Sequence, residues 1–471
     1  MRLCDLARRA SDVKITGFAI DHRKVVDGNV FGAFRGAAHN GEDYIEGAIE
    51  NGAIGVIARP EARVEGAEHI ASEDPRRDFA EAAGRFYAPY PDHLVAVTGT
   101  NGKTSSVEMT RQLWRMMGHR SASIGTLGVT TADDQVTTGL TSPDIVTFLN
   151  NLAGMRRMGI SHVAFEASSH GLHQHRVSGI PVKAAAFTNF SRDHLDYHET
   201  MEDYFEAKMQ LFEQLLADDG IAVVWTDDAQ SDTVIARAKA RGVRIMTVGS
   251  RGETIRLGER RATPLGQAVS LTHDGETHLL KLPLIGAYQA ANVLVAAGLA
   301  LATGAEWGKL FAAMGRLSPV RGRLERAVIT SRGAPVYVDY AHTPDALEAA
   351  IAALKPHVEG RLITLFGAGG DRDTGKRAPM GEVAAGHSDI VIVTDDNPRS
   401  EDAATIRKAI LQGAPRAIEV AGRRQAIAHA LSLAGAGDIV LLAGKGHEQG
   451  QIVGDQTLPF DDVEVARECA A

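Results

Sequence analysis

A lysine and a threonine stand directly behind a glycine-bounded turn in Val95-Ala96-Val97-Thr98-Gly99-Thr100-Asn101-Gly102-Lys103-Thr104. An apolar run leads in, and Ser105 to Met117 leads out with helical spacing. Strand, glycine loop, helix is an order that binds phosphate. Backbone N–H groups at a helix N-terminus point at the anion, a lysine ammonium reaches the outer phosphates, and a hydroxyl can hold Mg²⁺. The full phosphate-loop spacing needs glycine at 97, where this chain has valine, so the loop is a shortened variant. Gly99, Thr100, Asn101, Gly102, Lys103 and Thr104 are therefore read as an ATP site.

Other chemistry-bearing clusters also follow short apolar runs. Val163–Phe165 leads into Glu166-Ala167-Ser168-Ser169-His170-Gly171, and Ala184–Phe187 leads into Thr188-Asn189-Phe190-Ser191-Arg192-Asp193-His194-Leu195-Asp196. Past about residue 320 the alternation restarts. Val336–Val338 delivers Asp339-Tyr340-Ala341-His342, and Leu362–Phe366 delivers Gly367 to Asp373. Ile390–Val393 delivers Thr394 to Arg399, and Ile439–Leu442 delivers Ala443 to Glu448. In open α/β sheets ligands sit beyond the carboxyl ends of the strands, which is where all these clusters fall. A surface turn explains any one of them; together they read as a site.

These clusters need three α/β domains to position them. Residues 1–88 read as a small unit, with strands at Ile15–Ile20 and Val30–Phe34, a helix at Tyr44–Asn51 and a strand at Ala53–Ala58. A helix from Asp78 to Tyr87 leads to the linker Pro89-Tyr90-Pro91. Residues 89–319 read as a parallel-sheet ATPase domain, and 320–471 as a doubly wound, Rossmann-like domain. In the second segment, Met201–Leu215 has the spacing of an amphipathic helix that carries Lys208. Val269–Pro283 reads as a β-hairpin, and Tyr288–Ala302 as an alanine-rich helix with Asn292 near its start.

Bulk composition excludes several classes. The 471 residues are 44% hydrophobic and 23% charged, which is ordinary for a globular protein. The net charge of -9 comes without a basic run, which argues against a nucleic-acid partner. Two cysteines, Cys4 and Cys469, make neither a disulfide framework nor a metal cluster. With no signal-like or membrane-spanning apolar run, a cytoplasmic, monomeric enzyme acting on small molecules is expected.

Five clusters occur in one order: Gly99–Thr104, Glu166–His170, Thr188-Asn189 with Asp193-His194, Asp339–His342 and Asp396–Arg399. Together they resemble the Mur ligase family, over nearly the whole chain. The resemblance implies an ATP- and Mg²⁺-dependent amide ligase of peptidoglycan synthesis. Its substrate would be UDP-N-acetylmuramoyl-L-alanyl-D-glutamate, whose D-glutamate carboxylate ATP converts to an acyl phosphate. The amine of an incoming amino acid then attacks. Such chemistry is mostly positioning and charge neutralisation.

Residue by residue, the resemblance makes Lys103, Glu166, His194 and Lys208 catalytic. It gives Mg²⁺ to Thr104, Glu166, His194 and Lys208, the last as an N6-carboxylysine formed with CO₂. Carbamylation requires a neutral amine and turns a cation into an oxygen ligand suited to Mg²⁺. Asn292, Arg323, Asp339 and Tyr340 would complete the nucleotide pocket, with His342 close by. The UDP-muramoyl dipeptide would meet Thr141, Ser142, Ser168, Gln174 and Arg176, and its uridine end Ile20, His22 and the Gly36–Gly41 loop. Here the chain departs from its relatives, with His22 where they carry Ser and Asn40 where they tend to have Asp.

By the same resemblance, Asp396-Asn397-Pro398-Arg399 implies meso-diaminopimelate as the incoming amino acid, with Arg372, Gly444 and Glu448 around it. A planar guanidinium can clamp the carboxylate that lysine lacks. Leaving that Arg unpaired against lysine would cost about 2–5 kcal/mol. Four alternatives stand beside this one: lysine or another diamino acid as substrate, a folylpolyglutamate synthetase-like ligase, a P-loop ATPase, and an inactive UDP-muropeptide-binding protein.

Overall fold

The computed structural model describes residues 1–7, 11–36, 39–131, 135–136, 141–195, 197–263 and 266–470. Asp196 and part of the Gly36–Gly41 loop lie outside the described residues. The chain forms two compact units, Met1–Met246 with Gly298–Ala305, and Thr247–Ala297 with Glu306–Ala471.

The first unit carries two sheets. Strands β1 (Gly17–Ala19), β2 (Asn29–Gly32), β3 (Ala53–Ala58) and β4 (Glu68–Ala71) form a parallel sheet in sequence order, with helices α1 (Ile45–Glu50) and α2 (Pro75–Tyr87). The Asp74 carboxylate caps α2 and Pro75 fits its first turn, so this helix starts three residues earlier than expected. The second sheet draws on β5 (His93–Thr98), β6 (Ser121–Gly125), β7 (Gly128–Thr130), β8 (Gln135–Val136), β9 (His162–Glu166), β10 (Val182–Phe187) and β11 (Leu216–Trp225). Its order is β11-β10-β5-β9-β6-β7-β8, parallel from β11 to β6. Helices α3 (Lys103–Met116), α4 (Ile145–Arg157), α5 (Ser169–His173), α6 (Met201–Gln210) and α7 (Ser231–Ala240) punctuate it. The helix expected over 201–215 is α6 followed by a wider π-type turn, Leu211–Leu215. Leu94, Phe148, Phe165 and Phe187 are buried without exposure at its core.

Past β12 (Arg244–Gly249), strands β13 (Ile255–Thr263), β14 (Gly266–His273) and β15 (Glu276–Leu282) form an antiparallel meander. Helices α8 (Ala287–Ala302) and α9 (Trp307–Met314) follow. The second unit's main sheet uses β16 (Glu325–Ile329), β17 (Pro335–Asp339), β18 (Leu362–Phe366), β19 (Ile390–Val393), β20 (Ile418–Glu419) and β21 (Ile439–Ala443). Its order is β16-β17-β21-β18-β19-β20, all parallel except β16. Helices α10 (Pro344–Leu354), α11 (Arg377–His387), α12 (Ala403–Leu411), α13 (Arg423–Leu433) and α14 (Asp462–Ala470) and a ribbon of β22 (Gly450–Val453) and β23 (Gln456–Pro459) complete it. Ile439 and Leu441 enter one core while Val440 and Leu442 enter the other. A strand buried on both faces must be apolar at every position, which is why these segments stood out as continuous apolar runs.

Candidate active site

In the first unit, Gly99 and Gly102 take φ of 145° and 85°, the left-handed region that favours glycine. A Cβ on Gly99 would come within 1.9 Å of Thr188 Oγ1, so no side chain fits there. That closeness is used. Thr188 Oγ1 donates to the Asn101 carbonyl at 2.6 Å, and Asn189 Nδ2 donates to the same oxygen at 3.1 Å. The Asn101 N–H donates to Asn189 Oδ1 at 2.8 Å, and Thr100 N–H to the Asn189 carbonyl at 2.8 Å. Thr100 Oγ1 accepts from Ser191 N–H at 3.0 Å and from the Tyr204 hydroxyl at 3.3 Å. The loop after β10 therefore holds the phosphate loop after β5 as a splint.

Two lysines converge on one oxygen of this loop. Lys103 Nζ donates to the carbonyls of Gly99 at 2.9 Å and Thr100 at 2.7 Å. Lys208, on α6 and 1% exposed, donates to the same Gly99 carbonyl at 2.8 Å and sits 4.2 Å from the Tyr204 ring centroid. Burial drives the Lys208 amine well below its usual range, and the Lys103 charge adds to the effect. That shift favours the neutral amine, the form that is nucleophilic.

Glu166 ends β9 and is 2% exposed. It accepts from Thr126 N–H at 2.7 Å and from Thr126 Oγ1 at 3.2 Å, and among the described residues no cation pairs with it. Around it stand the hydroxyls expected for the dipeptide. Thr141 Oγ1 lies 3.1 Å from Thr126 Oγ1; Ser142 Oγ lies 3.0 Å from Ser168 Oγ and donates to the Glu166 carbonyl at 3.2 Å. Arg176 reaches the Ser142 carbonyl at 3.3 Å and Gln174 Oε1 at 2.6 Å. Thr141, Ser142, Ser168, Gln174 and Arg176 thus form one connected network.

His194 adopts φ of 53° and faces His170, ring centroids 5.0 Å apart. Burial pushes its imidazole down to about 4, against the opposing pull of the Asp193 carboxylate. It is neutral at physiological pH, with a lone pair to offer a metal. Tyr197, which the sequence did not single out, ties this region to the dipeptide network by accepting from Gln174 Nε2 at 2.9 Å. At the uridine end expected from the resemblance, the His22 ring stacks on Tyr44 with centroids 4.8 Å apart, and Ile20 follows β1 half-buried. No group of three His, Cys, Asp or Glu side chains poised around a metal occurs among the described residues.

The remaining expected residues lie in the second unit, in two clusters. In the first, Asp339 ends β17 and accepts from the N–H groups of Leu324 at 2.7 Å and Ala341 at 2.8 Å. Burial raises its carboxyl above the usual range. The Arg323 guanidinium lies 4.6 Å over the Tyr340 ring, and Asn292 donates at 3.3 Å to Gln289, which in turn donates to the Arg323 carbonyl at 3.0 Å. Asn292, Arg323, Asp339, Tyr340 and His342 are therefore neighbours, a flat aromatic and cationic surface suited to a nucleotide.

The second cluster forms at the ends of β18, β19 and β21. Arg399, at φ of 53°, directs Nη1 to the Gly370 carbonyl at 2.7 Å; Arg372 is exposed beside it. Asn397 Nδ2 donates to Glu448 Oε2 at 2.8 Å. Gly444 has φ of 107°, and a Cβ there would lie 2.7 Å from Asp396 Oδ2. The Pro398 carbonyl packs against Gly370, where no Cβ would fit. Lys445 was part of the Ala443–Glu448 cluster but had no role assigned from sequence; it is wholly buried among these groups. Behind them Arg423 and Asp462 form an unexposed ion pair at 2.6 Å, and Arg423 also donates to the Ala443 carbonyl.

Known proteins match along the whole chain. Residues 97–300 match the Mur ligase middle domain, and 322–446 the Mur ligase, glutamate ligase domain. The UDP-N-acetylmuramoyl-L-alanyl-D-glutamate--2,6-diaminopimelate ligase of Zymomonas mobilis is 58% identical over 467 residues, 98% of this chain and 96% of its own. That of Caulobacter vibrioides is 48% identical over 472 residues, 98% and 97% of the two chains. A solved structure of a ligase of that name is similar at a TM-score of 0.74 and 32% identity, over 100% of this chain and 98% of the other. MurF from Thermotoga maritima, solved in complex with ADP, shares the fold at a TM-score of 0.64 and 18% identity, over 96% of each chain. The chain belongs to the Mur ligase family.

Proposed function

We propose that this chain joins meso-2,6-diaminopimelate to the D-glutamate carboxylate of UDP-N-acetylmuramoyl-L-alanyl-D-glutamate, using ATP, in peptidoglycan biosynthesis. The observation that carries the reading is the likeness, at 58% identity over 98% of the chain, to a ligase with that reaction in its name. The geometry is consistent with a role for each part. The Gly99–Thr104 loop amides and Lys103 bind and orient the phosphates of ATP. Thr141, Ser142, Ser168, Gln174 and Arg176 hold the muramoyl dipeptide, with Ile20 and His22 toward its uridine. Asn292, Arg323, Asp339 and Tyr340 take the rest of the nucleotide. Arg372, Asp396, Asn397, Pro398, Arg399, Gly444 and Glu448 take the diaminopimelate.

The chain's donors fit Mg²⁺, which would neutralise phosphate charge when bound. Glu166 is a buried carboxylate without a cationic partner among the described residues, His194 is neutral, and Thr104 carries a hydroxyl in the first turn of α3. An ammonium cannot ligate a cation, so Lys208 fits only after its neutral amine adds to the carbon of CO₂ and releases a proton, leaving a carbamate. The three-domain partition at 88 and 319 remains our assignment. No helix among the described residues is long and apolar enough to cross a membrane, and we place this enzyme in the cytoplasm as a monomer.

Phosphate release with all substrates, and with each omitted in turn, tests the reaction. Release that requires ATP, Mg²⁺, the UDP-muramoyl dipeptide and diaminopimelate together is the expected result. Release indifferent to the dipeptide would instead identify an ATPase.

A further inference from the structure

Lys445 has no solvent exposure, yet its ammonium is fully engaged. It donates to Asn397 Oδ1 at 3.1 Å, Glu448 Oε2 at 3.0 Å and the Gly450 carbonyl at 2.6 Å. An ammonium has three N–H bonds, so none is left for a ligand. The consequences fall on its neighbours. Asn397 Oδ1 accepts from Lys445 and from the Ile452 N–H at 3.0 Å, which fixes which way the amide faces. Its Nδ2 is thereby turned to Glu448 Oε2 at 2.8 Å. Glu448 Oε2 now has two donors, while Oε1 has none among the described residues and the side chain keeps 29% of its exposure.

We propose that Lys445 is the positioning residue of the amino-acid site. It locks the Asn397 amide and aims the free oxygen of Glu448 at an ammonium group of a diamino dicarboxylic acid, without touching that substrate. A buried charge whose every bond goes to binding-site side chains and the adjoining strand is costly to desolvate, and its gain here is orientation. Its place in the chain suits the task. Lys445 lies between Gly444, packed on Asp396, and Gly446, packed on Tyr340, so it sits in the chain where the amino-acid and nucleotide clusters adjoin.

This inference rests on the ligase reading above, and kinetics separate the two. KM for each substrate would be measured by phosphate release in wild type, Lys445→Met and Lys445→Gln. Met keeps the apolar stem and removes the ammonium; Gln keeps an N–H donor and preserves more of the loop. For Met, KM for meso-diaminopimelate rises at least tenfold, while kcat and the KM values for ATP and the UDP-muramoyl dipeptide stay within threefold. Gln gives a smaller rise with the same selectivity, and it decides the matter should the Met variant not fold. An unchanged diaminopimelate KM, or a parallel rise for all three substrates, overturns the proposal, because the lysine would then merely brace the loop. Absence of diaminopimelate-dependent release in wild type would sink the ligase reading itself, before any variant is compared.

Discussion

The phosphate loop of the first unit and the Arg399 cluster of the second solve opposite problems. On the proposed function, the phosphate loop would present backbone N–H groups to an anion that every nucleoside triphosphate carries; its shape is set by glycines and by the loop that splints it from outside. On the proposed function, the Arg399 cluster would present side chains to one particular amino acid. Its orientation is set by charges buried beneath it, Lys445 under Asn397 and Glu448, and Arg423 with Asp462 under the end of β21. Backbone recognition is generic and tolerant; side-chain recognition is specific and depends on supports that never meet the ligand.

The two regions should therefore fail differently. The largest effect is expected in the first, from Lys208→Ala. Turnover should fall by at least about a hundredfold, the scale of removing a group that stabilises transition-state charge. Short carboxylic acids should restore part of it by replacing the carbamate oxygens. Steady-state rates with and without added acetate check this; wild-type-like turnover would remove Lys208 from the chemistry. In the second region, Asp462→Ala leaves Arg423 buried and unpaired, at a cost of about 3–5 kcal/mol. Urea denaturation should show that loss, with the unfolding of the second unit affected first.

Thr188→Val keeps the volume beside Gly99 and removes the hydroxyl that bonds the Asn101 carbonyl. A net loss near 1 kcal/mol corresponds to roughly a fivefold rise in KM for ATP, with KM for diaminopimelate unchanged. A further effect concerns acid. Burial holds His447, in the second unit, down to about 3, aided by the nearby Arg323 charge. The unfolded chain binds this proton from about 6.5 downward and the folded chain does not, so the contribution is complete above about pH 6.5. It is lost progressively as pH falls toward about 3. His447→Gln should flatten stability across that window, as urea midpoints taken at successive pH values would reveal.

The contrast also explains what was readable beforehand. Gly99, Gly102, Lys103 and Thr104 announced themselves because strand, glycine turn and helix follow one another in the chain, and the apolar runs before Asp339, Gly367, Thr394 and Ala443 announced a doubly wound sheet for a similar reason. Boundaries were less legible. The helix read from Asp78 begins at Pro75 because its cap is a side-chain contact, and the π-type turn at Leu211–Leu215 has no pattern of its own. The splint formed by Thr188, Asn189 and Ser191 joins residues about ninety positions apart, and spacing cannot report that. Lys445 was visible as a letter but not as a support, since an isolated lysine in a sequence is ordinarily a solvated charge. Its burial is created by the fold.

One measurement bears most directly on the claim that side chains of the second unit select the amino acid. Turnover with meso-diaminopimelate and with L-lysine would be compared in wild type and Arg399→Ala. Strong preference for diaminopimelate is expected in wild type and its collapse in the variant, by tens- to several thousandfold for a loss of about 2–5 kcal/mol, with lysine turnover no worse than before. A wild type that uses lysine equally well, or a variant that keeps its preference, would contradict it.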